Sequence, residues 1–179
     1  MGNDRPHLRG FTLIEVLITI GIAGILSSVA LPAMFDMIKS SQMSTQANDI
    51  HRAFVIARSE ALKRGVDVTV CTINTAQNNC SNKSGWENGW IIREVVTVVG
   101  VDPIVSIHDA LPDNYTIHGT TDDFESNVVF TPSGNTKSSG ELIVCYNSKV
   151  DSHSRTIAIG RFGKVSIKGS DRKIPTSCF

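Results

Sequence analysis

The chain has 179 residues, and its 17 Lys and Arg residues balance its 17 Asp and Glu residues. A chain of this length supports one membrane helix and one domain of ordinary size, and it excludes a second domain. Because the formal net charge is zero, no global field favours nucleic acid or a lipid surface, so any such role must be local.

The chain begins with a charged segment that ends at Gly10, and an apolar run follows at residues 11–31. As a helix, a run of about 21 residues is about 31 Å long, which is enough to cross a membrane once. Arg5 and Arg9 precede the run, so the positive-inside bias puts the leader in the cytoplasm and the rest of the chain outside. We therefore predict a leader at 1–10, a transmembrane helix, and a body that folds in an oxidising compartment.

Glu15 is the one acidic residue in the apolar run. An acid at mid-membrane costs about 2.5–3.5 kcal/mol on insertion scales unless something neutralises it. Cleavage after Gly10 would create an α-amino group on Phe11, four residues from this carboxylate. One subunit's Glu15 could then meet the next subunit's terminal ammonium, which would make the acid an assembly device.

A second helical pattern follows Pro32. Because Pro32 has no N–H and crowds the preceding turn, we predict a kink or loosening of the helix there. Lys63, Arg64 and Gly65 give a basic last turn and a glycine stop. We predict an amphipathic helix at 32–65 that continues the first one, so that one long, bent helix runs from about residue 11 to residue 64. Its apolar face recurs at spacings of four and three and consists of Met43, Ala47, Ile50, Phe54, Ala57 and Ala61.

From Val66 the apolar period changes to two, and β-branched residues dominate. A helix whose amphipathic half covers an antiparallel sheet is the α+β arrangement for such a pattern. We predict one β-domain at 66–179 with a polar loop at 74–88, and we interpret Trp86 and Trp90 as core or hairpin aromatics. The strands are expected near 66–73, 89–98, 104–108, 115–118, 127–130, 141–146, 156–160 and 164–168.

Four cysteines fit two disulfides in an oxidising compartment. Four cysteines allow three pairings, and proximity in the sequence favours Cys71 with Cys80 and Cys145 with Cys178. In the entropic model each disulfide would stabilise the fold by roughly 3–4 kcal/mol. A zinc site is disfavoured, because no pair has the close spacing typical of zinc ligands.

No catalytic constellation is present in the sequence. The nucleophile elbow, the phosphate-binding glycine loop and the His-Glu-x-x-His motif are all absent. The histidines fall at positions typical of surface or hydrogen-bonded side chains, and the acid pair Asp122 and Asp123 supplies too few oxygens for calcium. We expect no enzymatic activity, no metal and no cofactor.

The C-terminal part of the chain carries a local positive charge. Between residues 155 and 179, six basic residues face a single acid, Asp171. One interpretation is a solvated strand face with a basic tail, and the other is electrostatic binding to the phosphates of DNA. The candidate DNA-binding residues are Arg161, Lys164, Lys168, Arg172 and Lys173.

The N-terminal sequence RGFTLIEVLITIGIAGILSSVALP resembles the N-termini of type IV prepilins and pseudopilins. The resemblance implies that a prepilin peptidase cuts after Gly10 and methylates Phe11. It also implies that Glu15 pairs with a neighbouring N-terminus during polymerisation, and that Pro32 stands at the proline position of the family. A secretory signal, which has a shorter apolar core, and a plain membrane anchor are the alternatives.

Three segments of the body, at 84–94, 128–145 and 155–167, resemble in order the H-type (GspH) minor pseudopilins of type II secretion and the related FimT and FimU minor pilins. The resemblance implies a minor subunit, single-pass in the inner membrane with a periplasmic C-terminal domain, that is assembled near the tip of a pilus or pseudopilus. Its implied partners are other major and minor pilins, the prepilin peptidase and the inner-membrane assembly platform.

The same resemblance bears on the basic tail. In some FimT-type pilins a Gly-Arg-x-Arg motif in the C-terminal region binds DNA, and residues 163–166, Gly-Lys-Val-Ser, fall where that motif would lie. Lys164 offers a point charge to phosphate but lacks the bidentate fork of arginine, and Ser166 offers no charge. DNA is therefore the alternative partner.

Overall fold

The computed structural model describes residues 11–81, 85–95, 103–121, 124–169 and 178. The chain divides into two compact units, Met1–Lys39 and Ser40–Phe179. One helix, α1 (Leu13–Arg64), contributes to both units, and the remaining regular structure described belongs to the second unit.

The first unit contains the N-terminal part of α1. All large apolar side chains between Phe11 and Ile38 are exposed. Within the described residues, α1 is the one helix long and apolar enough to cross a membrane by length and composition, and its apolar window is not buried by the chain itself. This part of the helix therefore leaves its apolar surface free for lipid or for other subunits.

The helix passes through Pro32 without interruption. Proline fixes φ at a value that a helix accepts, although it removes one backbone hydrogen bond, and the kink there stays a prediction. The helix ends at Arg64, as predicted, and Gly65 follows with φ 69°. The Gly65 amide donates to the carbonyl of Ala61 at 3.0 Å, so the predicted glycine stop is confirmed.

Within the described residues, eight strands lie close to their predicted positions and form two four-stranded antiparallel sheets. They are β1 (Asp67–Thr72), β2 (Trp90–Val95), β3 (Ile104–His108), β4 (Tyr115–Gly119), β5 (Asn127–Phe130), β6 (Gly140–Tyr146), β7 (Arg155–Ile159) and β8 (Val165–Gly169). Residues 96–98, the end of the second predicted strand, lie outside the described residues. The first sheet has the order β3-β2-β1-β5 and the second has the order β4-β6-β7-β8. In the central strand of the first sheet, Val70 pairs with Ile92 on one side and with Val128 on the other.

The core of the second unit lies where α1 covers the two sheets. The six residues of the predicted apolar face, from Met43 to Ala61, are fully buried, which confirms that face. At its centre the Phe54 ring packs edge-on against Trp86, with centroids 6.0 Å apart, and lies 6.3 Å from Phe130. Trp86 donates its indole N–H to the Phe124 carbonyl at 2.9 Å. Trp86 and Trp90 are both buried, so their interpretation as core aromatics is confirmed.

A disulfide packs on the outer face of each sheet. On the first sheet, Cys71 of β1 is bonded to Cys80, and this pair packs with Ile73 and Ile91. Because a strand alternates its side chains between two faces, Val68 and Val70 reach the core while Cys71 is buried on the opposite face. Strand β1 is therefore buried on both sides.

The second sheet repeats this arrangement. Cys145 of β6 is bonded to Cys178, and the two pack with Ile143 and Val150 on the outer face. Their Cα atoms are 6.6 Å apart, and 33 residues separate them in the sequence. Both disulfides have the pairing that sequence proximity favours, and each links a cysteine from outside the sheet to an inner strand.

Candidate functional site

The N-terminal end of α1 forms a reciprocal hydrogen-bonded cap. The Glu15 amide donates to Thr12 Oγ1 at 3.3 Å, and the Thr12 amide donates to Glu15 Oε2 at 3.5 Å. This is the capping box, in which a Thr and a Glu three residues later satisfy two otherwise unpaired helix donors. This cap was not predicted, although the Thr-x-x-Glu pattern in the sequence is its signal.

The residues predicted for processing lie at this same end. Phe11 is 83% exposed, directly before the cap. Gly10, the predicted cleavage position, lies outside the described residues. The structure therefore places Phe11 and Glu15 within one turn of each other at an exposed helix start, and no ion pair to Glu15 occurs among the described residues.

The structure describes three of the five predicted basic residues, and these three lie in two places. Arg161 and Lys164 are exposed on the turn between β7 and β8. Lys168 lies on β8, and its Nζ is 3.5 Å from Glu141 Oε1, so a carboxylate already faces it. Arg172 and Lys173 fall outside the described residues. The structure thus brings together two of the five candidates.

The turn that carries Arg161 and Lys164 is held by its own backbone and by a neighbouring turn. Within the turn, the Gly160 amide donates to the Lys164 carbonyl at 3.0 Å. The neighbouring turn is formed by residues 131–137. From that turn, the Thr136 amide donates to the Arg161 carbonyl at 2.9 Å. We call the segment 160–164 the basic turn.

Arg58 on α1 ties these two turns to the helix. Its Nε donates to the Gly134 carbonyl at 2.9 Å, and its Nη2 donates to the Phe162 carbonyl at 3.1 Å. Gly163 lies against this arrangement with φ 68°, and a Cβ there would collide with the Gly134 carbonyl oxygen. The basic turn therefore has one backbone conformation, fixed by a side chain of the helix.

Phe162 is the residue of this turn that the sequence analysis missed. Its side chain is 81% exposed although its carbonyl is bound by Arg58. The available signal was its position between two glycine-containing corners, Gly160 and Gly163, in a short connection between strands. An apolar residue at such a corner points outward more often than one inside a strand, because connecting segments run over the surface.

The C-terminal end of α1 carries a charge network in which Arg64 is exposed and both carboxylates are half-buried. Arg64 donates to Glu60 in its own helix and to Glu94 of β2. The hydrogen bond from Arg64 lowers the pKa of Glu60 below its ordinary value, and the two carboxylates raise the pKa of Arg64. Because Arg64 contacts Glu94 as well as Glu60, the network links the end of the helix to β2.

A shallow groove in the second unit lies between α1 and the strands β2 and β3. It is lined in part by Asp49, Arg52, Ile56, Ile107 and His108. The His108 ring stacks on Trp90 with centroids 3.9 Å apart, and its Nε2 lies 3.9 Å from Asp49 Oδ2. No group of three His, Cys, Asp or Glu side chains that could hold a metal ion gathers within the described ranges.

The fold is similar to that of solved minor pilins. The type IV minor pilin FimU of Pseudomonas aeruginosa superposes with a TM-score of 0.62 at 19% identity, covering 78% of this chain and 96% of that chain. The minor pseudopilin EpsH from the type 2 secretion system of Vibrio cholerae gives a TM-score of 0.50 at 9% identity, covering 72% and 97%. The architecture is therefore pilin-like.

Two family models match the sequence of this chain. Residues 46–163 match the model for the type II transport protein GspH, and residues 5–31 match the prokaryotic N-terminal methylation motif. The chain belongs to the GspH family of minor pseudopilins.

Curated relatives share the N-terminal region. Fimbrial protein EcpC of Eikenella corrodens is 55% identical over 40 residues, which are 22% of this chain and 26% of that protein. The type IV major alpha-pilin of Moraxella bovis is 48% identical over 42 residues, which are 24% and 26%. The chain thus matches about a quarter of the length of these curated relatives.

The packing of the basic turn gives a testable prediction. Gly163→Ala should destabilise the second unit by at least about 1–2 kcal/mol, the cost of a left-handed backbone for an L-residue, with the collision against Gly134 in addition. Denaturant unfolding of the full chain in detergent, followed by tryptophan fluorescence, measures this, because both tryptophans lie in the second unit. Gly169→Ala, where a Cβ meets nothing within 4 Å, is the control. Equal stability of the two variants would contradict the packing described for this turn.

Proposed function

We propose that this chain is a minor structural, non-enzymatic subunit of a type IV pilus or of a type II secretion pseudopilus. The proposal rests on one observation. A single chain contains both the N-terminal methylation motif, at residues 5–31, and the GspH region, at residues 46–163. An exposed apolar helix continues from the motif into a folded domain. A filament subunit needs both parts, one to pack in the filament core and one to make lateral contacts.

The proposed organisation follows the order of these parts. Residues 1–10 are a leader, 11–31 cross the inner membrane, 32–65 form the amphipathic helix, and 66–179 form the periplasmic domain. The N-terminus is cytoplasmic and the domain is periplasmic, where its two disulfides would form and persist. The proposed partners are other major and minor pilins, the prepilin peptidase and the inner-membrane assembly platform, with assembly near the tip.

The proposed role of Glu15 needs a charge and not only a cap. In the isolated chain the capping box satisfies backbone donors, which an uncharged glutamine also does at this position. A carboxylate in an apolar segment remains costly until a cation neutralises it. We propose that the terminal ammonium of a neighbouring subunit supplies that cation during assembly, so that pairing favours the filament over the dispersed membrane protein.

The second candidate function is DNA binding by a minor pilin acting in DNA uptake. The observation that favours it is the pair of exposed cations, Arg161 and Lys164, on a turn of fixed conformation. Lys168, beside Glu141, contributes less in this candidate because its charge is partly matched. Binding of this kind would be electrostatic and independent of sequence.

Processing gives the first test of the main proposal. The mature protein should begin at Phe11 with a methylated amino group, and Gly10→Ala should be cleaved less well because the added methyl group enters the peptidase site. Intact-mass spectrometry of membrane-extracted protein measures both. Glycine at position 2, changed to Ala in the same leader, is the matched control and should be cleaved normally. A mature protein that retains Met1 or is cut near Ala30 would overturn the proposal.

A comparison of three variants separates the charge of Glu15 from its capping role. Glu15→Gln keeps the capping box and removes the charge, so it should insert in the membrane but fail to enter sheared filaments. Thr12→Ala removes the cap, at a cost of about 0.5–2 kcal/mol, and keeps the charge, so it should still assemble. Immunoblots of sheared and membrane fractions measure the outcome. Normal assembly of Glu15→Gln, together with failure of Thr12→Ala, would show that capping is the role of this residue.

The DNA candidate predicts a salt-dependent affinity for duplexes. The full chain in detergent should bind a short labelled duplex at low salt, with a log–log salt slope of about 0.9 per phosphate contact. The double variant Arg161→Gln with Lys164→Gln should weaken binding and flatten the slope. Arg52→Gln with Lys149→Gln removes two exposed charges elsewhere and serves as the control. Equal anisotropy titrations for both double variants would reject the basic turn as the site.

A further inference from the structure

The exposed ring of Phe162 stands on a backbone that is held by hydrogen bonds from outside the turn. The ring is 81% exposed, while Arg58 binds the Phe162 carbonyl and Gly163 packs on Gly134. The Gly163 amide also donates to the Gly160 carbonyl at 2.8 Å. A ring presented on a fixed backbone loses little conformational entropy when a flat ligand stacks on it.

The chemistry around the ring is cationic. Arg161 and Lys164, both exposed, lie on either side of Phe162 in the basic turn. Neither the basic turn nor the adjoining segment 131–137 contains Asp or Glu, and the one further cation there, Lys137, is bonded to Asp67 at 2.7 Å. The two exposed cations that lie nearest to Phe162 in the sequence therefore have no acid within either segment.

An aromatic ring with flanking cations matches single-stranded nucleic acid. Proteins that bind single strands stack the bases on aromatic side chains, while Lys and Arg contact the phosphates. Each stacked base contributes about 1–3 kcal/mol. A protein interface also enriches aromatic residues and Arg, but it is depleted of Lys. Lys164 therefore favours a phosphate-bearing ligand, and assembly into filaments is kept as an outcome of the test.

We propose that the basic turn is a single-base stacking site, in which Phe162 contacts the base while Arg161 and Lys164 contact adjacent phosphates. Arg58 and Gly163 act as positioning residues that hold the ring outward. This inference rests on the DNA candidate and makes it specific, since the base faces are available in single strands and hidden within the duplex stack. The preferred ligand is then a single strand or a frayed end.

The test compares three labelled probes on the full chain in detergent: an oligothymidine, an abasic oligonucleotide of equal length, and a duplex. Phe162→Leu keeps the size and apolar character of the residue but removes the aromatic face. It should bind oligothymidine at least about fivefold more weakly than the parent chain, which corresponds to the lower limit of one stacked base. It should bind the abasic strand and the duplex as the parent chain does. Phe162→Trp should restore the oligothymidine affinity.

The outcomes distinguish failure of the stacking site from failure of the DNA candidate. If the parent chain binds none of the three probes, the DNA candidate and the stacking site both fail. If the probes are bound but Phe162→Leu binds oligothymidine as well as the parent chain does, the stacking site fails and the electrostatic candidate stands. If Phe162→Leu also loses assembly into filaments while its oligothymidine affinity is unchanged, the ring is a docking residue for another subunit and the proposal is wrong.

Discussion

A carboxylate inside a membrane-length apolar helix is the constraint on which the proposed function depends. Within the described residues, Glu15 hydrogen-bonds to Thr12 and has no cationic partner. The capping box accounts for the geometry of the helix start, but it does not neutralise the charge. An acid that remains costly in the lipid and becomes favourable beside an ammonium biases the chain towards assembly. In the proposed filament, the exposed apolar surface from Phe11 to Ile38 would pack against neighbouring helices.

The second unit depends on a different constraint, which is the covering of two sheets on both faces. The helix covers the inner faces. On the outer faces, Cys80 packs against β1 and Cys178 packs against β6. A disulfide fixes each of these two contacts covalently. A domain of this design suits an oxidising compartment. It also leaves the connections between strands, such as the basic turn, free to differ in function.

The parts of the fold that could be predicted are those with a strong period. The helix face from Met43 to Ala61 and the bounds of β3 and β5 follow from spacings of three and four and from alternation, and the structure confirms them. The division into two sheets could not be predicted, because alternation shows which residues share a face but not which strands pair. Burial of Cys71 on an outer face could not be predicted from the sequence either, because it depends on a loop that folds back over the sheet.

The candidate site was predicted less completely, for physical reasons that differ between residues. Basic residues could be counted from the sequence, but the pairing of Lys168 with Glu141 depends on the register between β6, β7 and β8. The exposure of Phe162 depends on Arg58, more than one hundred residues away in the sequence, which fixes the backbone of the turn. The Thr-x-x-Glu pattern could have predicted the cap, because both residues are visible in the sequence. The sequence-based interpretation of Glu15 considered only its charge.

Carbodiimide cross-linking of assembled filaments tests the pairing of Glu15 most directly. A membrane-permeant carbodiimide joins an amine to a carboxylate that contacts it, without adding a spacer. Mass spectrometry of digested filaments should identify a peptide in which Glu15 of this chain is joined to the N-terminal amine of a different pilin subunit. Modified but uncross-linked Glu15 in intact filaments, or Glu15 joined only to the amine of its own chain, would contradict the account.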